Sequence, residues 1–224
     1  MKITAYQSGK GDCLLLDSET GAKTVRVLVD GGLPESYRDH VAPSLAQQKT
    51  PLDLVYLSHI DEDHIGGVLQ LMNDLIAWRV YDYQKEVGNP KAKRPDHPRP
   101  PDVRKIWHNS FHEQVGKNAG DIGDMLAAST AILSASTTKL AATVLEEHAG
   151  LAQSKYQALQ LARRVGPGQL DIPVNPEFQH KLMMLRPGAP KLKAGSITFH
   201  LIGPFEKDLR KLRTEWNAWL KESK

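Results

Sequence analysis

The feature that most constrains this chain is a short polar loop, set between a predicted strand and a predicted helix. The apolar run at residues 54–57 predicts a buried strand, and the spacing of apolar residues from Ile65 onward predicts a helix. A loop that two rigid elements hold at its ends can direct several side chains to one point. Four potential metal ligands fall within six residues of this loop: His59, Asp61, Asp63 and His64. The segment therefore predicts a metal centre.

The donor atoms of the loop indicate which metal ions it suits. Imidazole and carboxylate ligands without thiolate fit zinc, manganese or iron rather than a structural cysteine-rich zinc site. Two histidines and two aspartates exceed the three protein ligands usual for one catalytic zinc, and they fit two ions about 3.5–4 Å apart. The alternative is chance clustering of polar residues in a loop. The position after an apolar strand and before Gly66-Gly67 argues against chance.

The string Ser58-His59-x-Asp61-x-Asp63-His64-x-Gly66-Gly67 resembles the metal-binding signature of the metallo-β-lactamase-fold hydrolases. Its His-x-Asp-x-Asp-His form is similar to the hydrolase domain of bacterial DNA-uptake channel proteins and their soluble relatives. Upstream, residues 9–16 and 27–32 match the paired strands and the Asp-Gly turn that the family places before its motif. The resemblance covers residues 1–76 and then fades, and residues 197–220 resemble only a connecting segment of such relatives.

The resemblance implies a role for each residue of the loop. His59 and Asp61 would bind one metal ion, and Asp63 and His64 the second, with two Zn²⁺ ions in a complete site. Asp63 would also orient the nucleophilic hydroxide, which makes it the predicted catalytic residue. Asp30 would support the loop from a strand end rather than bind metal. Asp61 stands where many relatives have a histidine, and this harder ligand makes Mn²⁺ a competitor to Zn²⁺.

The mixture of strands and helices predicts an α/β (or α+β) class, and the resemblance implies an αββα sandwich of which this chain carries the N-terminal half. We expect one domain over residues 1–224, with the metal motif in 1–110, a helical insertion in 111–167, and strands and a closing helix in 168–224. Predicted strands lie at 2–6, 13–16, 24–29, 54–57, 104–107, 181–185 and 196–201. Helices are predicted at 37–48, 121–149, 151–165 and 206–222. Five prolines predict an exposed loop at 90–101.

Part of the ligand set that the family uses has no counterpart in the sequence. In the family the second half of the fold supplies a further histidine, a bridging aspartate and a final histidine, and residues 111–224 offer no matching string at a strand end. His108 is the best internal candidate for another ligand, and a polar loop residue is its alternative interpretation. Three explanations stay open: the chain is a fragment, another chain supplies the second half, or catalysis has been lost.

Composition narrows the cellular setting. Cys13 is the only cysteine among 224 residues, which excludes an internal disulfide framework, and its apolar surroundings predict a core position. No apolar run approaches the roughly 20 residues of a membrane span, and the N-terminus lacks the apolar stretch of a signal peptide. We therefore expect a cytoplasmic protein that does not enter a membrane. A net charge of +3 permits an anionic partner without requiring one.

Two functions from different classes follow. The first is a metal-dependent hydrolase, a nuclease or another enzyme that cleaves an anionic ester such as a phosphodiester. Six cations in and after the proline-rich loop favour phosphate binding: Lys91, Lys93, Arg94, Arg99, Arg104 and Lys105. The second is a catalytically incomplete scaffold or subunit that forms a homo-oligomer or binds a partner chain through the closing helix. That helix carries a stripe of apolar residues: Leu209, Leu212, Trp216 and Trp219.

Overall fold

The computed structural model describes residues 1–109 except positions 22 and 49, residues 157–211 except position 159, and Thr214. Within these ranges the strands are β1 (Lys2–Ala5), β2 (Leu14–Thr20), β3 (Lys23–Val29), β4 (Leu54–Tyr56), β5 (Ile106–Trp107), β6 (Leu192–Ala194) and β7 (Ile197–Phe199). The helices are α1 (Pro34–Ser36), α2 (Ala42–Ala46) and α3 (Glu62–Glu86), with a π-helical turn at Tyr37–Val41 and a 3₁₀ turn at Pro176–Phe178. None of the helices in this described part combines the length and apolar character of a membrane span.

The first five strands form one mixed sheet in the order β1-β2-β3-β4-β5. β1, β2 and β3 are antiparallel neighbours, whereas β4 runs parallel to both β3 and β5. The carboxyl ends of β3, β4 and β5 therefore lie at the same edge of the sheet. In open sheets with parallel strands this edge is where functional loops gather. The loops that follow these strands contain Asp30, His59 and His108, respectively.

Both faces of the sheet are covered, which explains why its central strands are apolar on both sides. Side chains alternate along β3, so Leu28 and Val27 point to opposite faces. Leu28 joins Val55 and Ile106 in a core that packs against α3, through Val68 among others. On the other face, Val27 belongs to a second core with Leu54 and Trp107, which the β6-β7 hairpin covers. This mixed α/β arrangement agrees with the predicted class.

Most predicted elements in the N-terminal half are confirmed, with shifted ends. The predicted hairpin over 13–29 exists as β2 and β3, and β2 continues to Thr20. The helix predicted from Ile65 begins at Glu62, which places the last two predicted ligands in its first turn. The proline-rich segment 90–101 contains no helix or strand. Of the two later helices, residues 121–149 lie outside the described residues, and 157–158 and 160–165 are helical.

The prediction of a strand at 181–185 is wrong. Only Leu185 makes an isolated bridge, to Phe205, and the backbone N–H of Met183 donates instead to the side chain of Asn109 at 2.7 Å. The predicted strand at 196–201 is confirmed as β7, and its partner β6 was not predicted. The closing helix begins at Glu206, and its residues Leu212, Trp216 and Trp219 lie outside the described residues.

Candidate metal centre

The predicted ligands lie where β4 turns into α3. Asp61 is the N-cap residue of α3, with extended backbone angles (φ −65°, ψ 147°), and its carbonyl accepts from the backbone N–H groups of His64 and Ile65, both at 2.9 Å. His59 and Asp61 therefore lie in the loop, whereas Asp63 and His64 lie on the first helical turn. A helix fixes its residues more rigidly than a loop does, so the second pair is the better positioned.

Close backbone contact holds this first turn against the end of β3. The N–H of Gly31 donates to the carbonyl of His64, and the N–H of Gly67 donates to the carbonyl of Gly32, both at 2.9 Å. A Cβ atom on Gly67 would lie 2.0 Å from the carbonyl oxygen of Gly31. Only glycine permits so close an approach of two backbones. The pair Gly66-Gly67, which follows the predicted ligands, therefore positions the loop between β4 and α3.

Three of the four predicted ligands come together. Ligand atoms of His59, Asp63 and His64 all lie within 4.8 Å of one another, and the two imidazole rings have centroids 3.7 Å apart. His64 is buried, Asp63 is half-buried and His59 is exposed, so the cluster is open to solvent on one side. Asp61 lies at its edge, with Oδ2 3.5 Å from His59 Nε2 and a side chain that is 70% exposed. Its ligation of a metal ion stays a prediction.

Asp30 supports the cluster from the end of β3. This residue is 2% exposed and adopts a left-handed backbone conformation (φ 55°), which aspartate tolerates better than most residues. Its carboxylate accepts three hydrogen bonds, from the Ser58 N–H at 2.7 Å, the Ser58 hydroxyl at 2.6 Å and His64 Nδ1 at 3.0 Å. The contacts agree with the role that the resemblance implied, in which Asp30 supports the ligand loop.

These hydrogen bonds determine which nitrogen of each histidine is free. His64 Nδ1 faces a carboxylate, which only accepts, so Nδ1 carries the proton and Nε2 keeps its lone pair. The Ser58 hydroxyl has one hydrogen, which goes to Asp30, so the hydroxyl accepts from His59 Nδ1 at 2.9 Å. The neutral ring of His59 then keeps the lone pair of Nε2, which lies 3.5 Å from Asp61 Oδ2. This role of Ser58 was not predicted, although its position directly before His59 could have indicated it.

The residues present fit a divalent metal ion. Two imidazole nitrogens with free lone pairs and one carboxylate oxygen form the donor set of catalytic zinc sites, which leave one position open. Each histidine also has a hydrogen-bond partner at its other nitrogen, as metal-binding histidines almost always do. Since both imidazoles are held in the tautomer that metal binding requires, little reorganisation is needed to bind an ion.

His108 does not join this cluster. Its ring is buried, and neither ring nitrogen has a hydrogen-bond partner within the described residues. Burial lowers the pKa of His108 to about 4, so the ring is neutral at pH 7. Cys13 is also buried, and burial together with the charge of Asp30 raises the pKa of its thiol to about 12. The prediction that Cys13 is a core residue is thereby confirmed.

Two cations of the proline-rich loop lie against the ring of Trp78, a buried residue of α3. The guanidinium carbon of Arg99 lies 4.4 Å from the centroid of the Trp78 ring, and that of Arg94 lies 5.3 Å from the same ring. Arg99 also forms an ion pair with Asp82. The loop is therefore fixed to the helix through its basic residues, by cation–π contacts that each contribute about 0.5–1 kcal/mol at exposed sites.

The next two cations are also paired. Arg104 forms an ion pair with Asp53 at 2.7 Å, and Lys105 forms one with Glu177. Both residues precede β5, at the amino end of the parallel strands, whereas the metal loop follows the carboxyl end of β4. These charges are thus neutralised locally at the edge of the sheet opposite the metal centre.

Comparison with known proteins agrees with this geometry. The family model for the metallo-beta-lactamase superfamily matches residues 9–123, about half of the chain, a range that includes Asp30 and all four predicted ligands. No curated protein and no solved structure gave a significant match. The superfamily consists mostly of hydrolases, and the cluster of His59, Asp63 and His64 fits a metal-dependent one. The chain belongs to the metallo-beta-lactamase superfamily.

Proposed function

We propose that the chain is a hydrolase that takes two divalent metal ions, preferably Zn²⁺, and cleaves an anionic ester of the phosphodiester class, including nucleic acid. The observation that carries this proposal is the cluster of His59, Asp63 and His64, whose ligand atoms lie within 4.8 Å of one another, with His64 Nε2 3.9 Å from Asp63 Oδ1. Superfamily membership supports hydrolysis as the reaction. Asp61, 3.5 Å from His59 Nε2, supports the second ion because it adds another carboxylate at the open side of the cluster.

Each residue of the cluster has its own role in the proposed reaction. A bound divalent ion lowers the pKa of water and polarises an ester oxygen. His59, Asp63 and His64 would hold the ion, and Asp30 keeps both imidazoles in the required tautomer. Asp63 lies in the first turn of α3, where the helix dipole favours a negative charge. Its carboxylate accepts a hydrogen bond from the attacking water and orients it, while the exposed side at His59 admits the substrate.

Metal content and hydrolysis test this proposal together. The protein is purified without chelator, and its zinc and manganese are measured by elemental analysis. Hydrolysis of bis(p-nitrophenyl) phosphate and of single-stranded DNA is then followed with each metal added. We expect bound metal, hydrolysis of both substrates, and loss of hydrolysis in Asp63→Asn. His200→Ala, which changes an exposed histidine outside the cluster, is the matched control and should retain activity. Equal hydrolysis by Asp63→Asn and the wild-type protein would refute the proposal.

The second candidate is a catalytically incomplete subunit that binds a partner. It is favoured by two exposed apolar residues just before the closing helix, Ile202 (87% exposed) and Phe205 (46% exposed). This function predicts that the purified protein contains no metal and elutes as a complex or oligomer in size-exclusion chromatography. Near-stoichiometric metal in a monomeric protein would exclude it.

A further inference from the structure

A positively charged segment without carboxylate side chains follows the 3₁₀ turn. Between Glu177 and Glu206 the sequence contains no aspartate or glutamate, but it contains four cations: Lys181, Arg186, Lys191 and Lys193. All four are exposed, and none forms an ion pair or a side-chain hydrogen bond with another residue that the structure describes. This segment therefore leaves positive charge uncompensated on the surface.

The carboxylates that border the segment are already paired. Glu177 forms an ion pair with Lys105, and Glu206 forms one with Arg210. Three cations in and after the proline-rich loop, by contrast, form ion pairs with carboxylates of other elements. The charge that is free to attract an anion therefore lies in the later segment.

Two of the four cations share the outward face of the β6-β7 hairpin. Leu192 and Ala194 are buried, so Lys193 and Lys191, which alternate with them, point to solvent. Alternate residues of a strand are about 7 Å apart, so the two ammonium groups form a row along the hairpin. A row of cations suits the backbone of a phosphate polymer, whose charges also follow one another along a line.

An exposed aromatic ring lies next to these cations. Phe205 follows β7 and is 46% exposed, and it bridges to Leu185, which directly precedes Arg186. Lys207 Nζ lies 5.8 Å from the centroid of the Phe205 ring, and Asp208 uses its carboxylate to accept from the Phe205 N–H at 2.9 Å. Proteins that bind single-stranded nucleic acid combine cations with aromatic rings in this way, because the bases stack on the rings. An anionic membrane has no base for the ring to stack on.

The hairpin runs toward the edge of the sheet that carries the metal centre. At its turn, a Cβ atom on Gly195 would lie 3.0 Å from the side chain of Val25, in the first half of β3. Beyond its open end, Leu201 packs against the same core as Val29 and Tyr56, the last residues of β3 and β4. The metal loop follows β4, so a polymer bound along the hairpin is led toward that loop.

We propose that a hairpin surface formed by Arg186, Lys191, Lys193 and Phe205 binds the backbone of single-stranded nucleic acid. The two lysines meet phosphates as point charges, and Arg186 can donate two hydrogen bonds to one phosphate. A base stacks on Phe205. These contacts do not read sequence, so we expect binding without strong base preference. That the bound strand is also the substrate rests on the proposed hydrolase function, whereas the binding itself does not.

Binding to a fluorescent single-stranded thymidine oligonucleotide is measured by anisotropy at several salt concentrations. The full chain carries Asp63→Asn, so that the probe is not cleaved. For single strands the logarithm of affinity falls with the logarithm of salt concentration with a slope of about 0.7 per phosphate contact. The double substitution Lys191→Gln and Lys193→Gln should therefore reduce this slope by about 1.4. The control, Lys2→Gln with Lys85→Gln, removes the same charge from two exposed lysines elsewhere and should leave the slope unchanged.

The role of the ring is tested separately. Phe205→Leu keeps an apolar side chain but removes the aromatic face, so it should weaken oligonucleotide binding about fivefold or more at every salt concentration. Unchanged binding by Phe205→Leu would indicate a surface for polyanions in general and would overturn the proposal. It is also overturned if the oligonucleotide does not bind, or if the Lys191/Lys193 variant and the Lys2/Lys85 control have equal slopes.

Two further measurements separate the alternatives. With Asp63 intact, the Lys191/Lys193 variant should raise the KM for single-stranded DNA and leave hydrolysis of bis(p-nitrophenyl) phosphate unchanged, because a small ester needs no docking surface. Oligonucleotide binding without hydrolysis of either substrate would refute the proposed hydrolase function and still support the binding surface. Vesicles of phosphatidylcholine and phosphatidylglycerol are the last probe. If they bind more tightly than the oligonucleotide and lose binding in the Lys191/Lys193 variant, the surface is a membrane site and the proposal fails.

Discussion

Replacing Asp30 by asparagine should reverse the tautomers of both histidines of the candidate metal centre at once. Asparagine has the same size and tolerates the left-handed φ of 55° at this position, so the backbone is not strained. Its carbonyl oxygen can still accept from the Ser58 N–H, but its NH₂ group replaces the oxygen that faces His64 Nδ1 and the Ser58 hydroxyl. His64 must then accept at Nδ1 and carry its proton on Nε2. The freed Ser58 hydroxyl donates to His59 Nδ1, with the same consequence for His59.

The magnitude follows from the number of histidines affected. Loss of one such supporting partner typically lowers metal affinity about 10–100-fold. Ser58→Ala removes the partner of His59 and one hydrogen bond to Asp30, leaves the contact of Asp30 with His64, and should fall in that range. Asp30→Asn affects both imidazoles, so its loss of metal affinity should be larger than that of Ser58→Ala. The two losses do not simply multiply, because the histidine rings are 3.7 Å apart in one hydrogen-bond network. The order of the two variants is therefore the prediction.

Zn²⁺ and Mn²⁺ affinities are measured by competition with a chromophoric chelator, and histidine tautomers are read from long-range ¹H–¹⁵N NMR spectra of the metal-free protein. Asp53→Asn is the matched control, because the Asp53 carboxylate also accepts from a backbone N–H and a side chain, those of Arg26 and Arg104. It should bind metal as the wild-type protein does. Wild-type affinity in folded Asp30→Asn, or Nδ1-protonated histidines in that variant, would refute the reasoning.

Three other predictions concern stability. Gly67→Ala places a Cβ 2.0 Å from the Gly31 carbonyl oxygen, so it should lower the free energy of unfolding, measured in urea titrations, by about 1–3 kcal/mol or more. Gly168→Ala, which faces open space, should leave the free energy of unfolding unchanged. The folded-state pKa of His108 is about 4 against an ordinary 6.5, so the unfolded chain takes up the proton first. The free energy of unfolding should therefore fall by up to about 3 kcal/mol between pH 6.5 and pH 4; an equal fall in His108→Gln would contradict this. Zn²⁺ at a concentration one hundred times its dissociation constant should stabilise the wild-type protein by about 2.7 kcal/mol and so raise its melting temperature. If Asp63→Asn shows the same rise, the ion binds elsewhere.

The N-terminal fold was predictable because its signals are local. The β-branched run at 24–29 and the glycine-containing turn before it indicated the hairpin that β2 and β3 form. The strand, polar loop and helix around residues 54–75 were equally clear. The false strand at 181–185 shows the limit of such signals. Met183 uses its backbone N–H for the side chain of Asn109, a contact between residues 74 positions apart that no local pattern contains.

The cations in and after the proline-rich loop show that local sequence also fails to predict which charges are neutralised. Six cations close together in sequence suggested a surface that could follow phosphates. In the structure Arg104 and Lys105 pair with Asp53 and Glu177, which lie 51 and 72 positions away in the sequence. Residue counts give the charge that a segment carries, but neutralisation depends on which distant carboxylates the fold brings within contact.

By itself the sequence determined the chemistry of the candidate centre. Imidazole and carboxylate side chains at this spacing, between a strand and a helix, favour metal binding over other functions. Only the tertiary structure decided which of them act together: His59, Asp63 and His64 converge, whereas Asp61 stays at the edge and the buried His108 lies apart from them. It also decided the protonation of both imidazoles, through Asp30. The physical reason is that a tautomer depends on a hydrogen-bond partner within about 3 Å, and the parallel arrangement of β3 and β4 supplies that partner from 34 residues away.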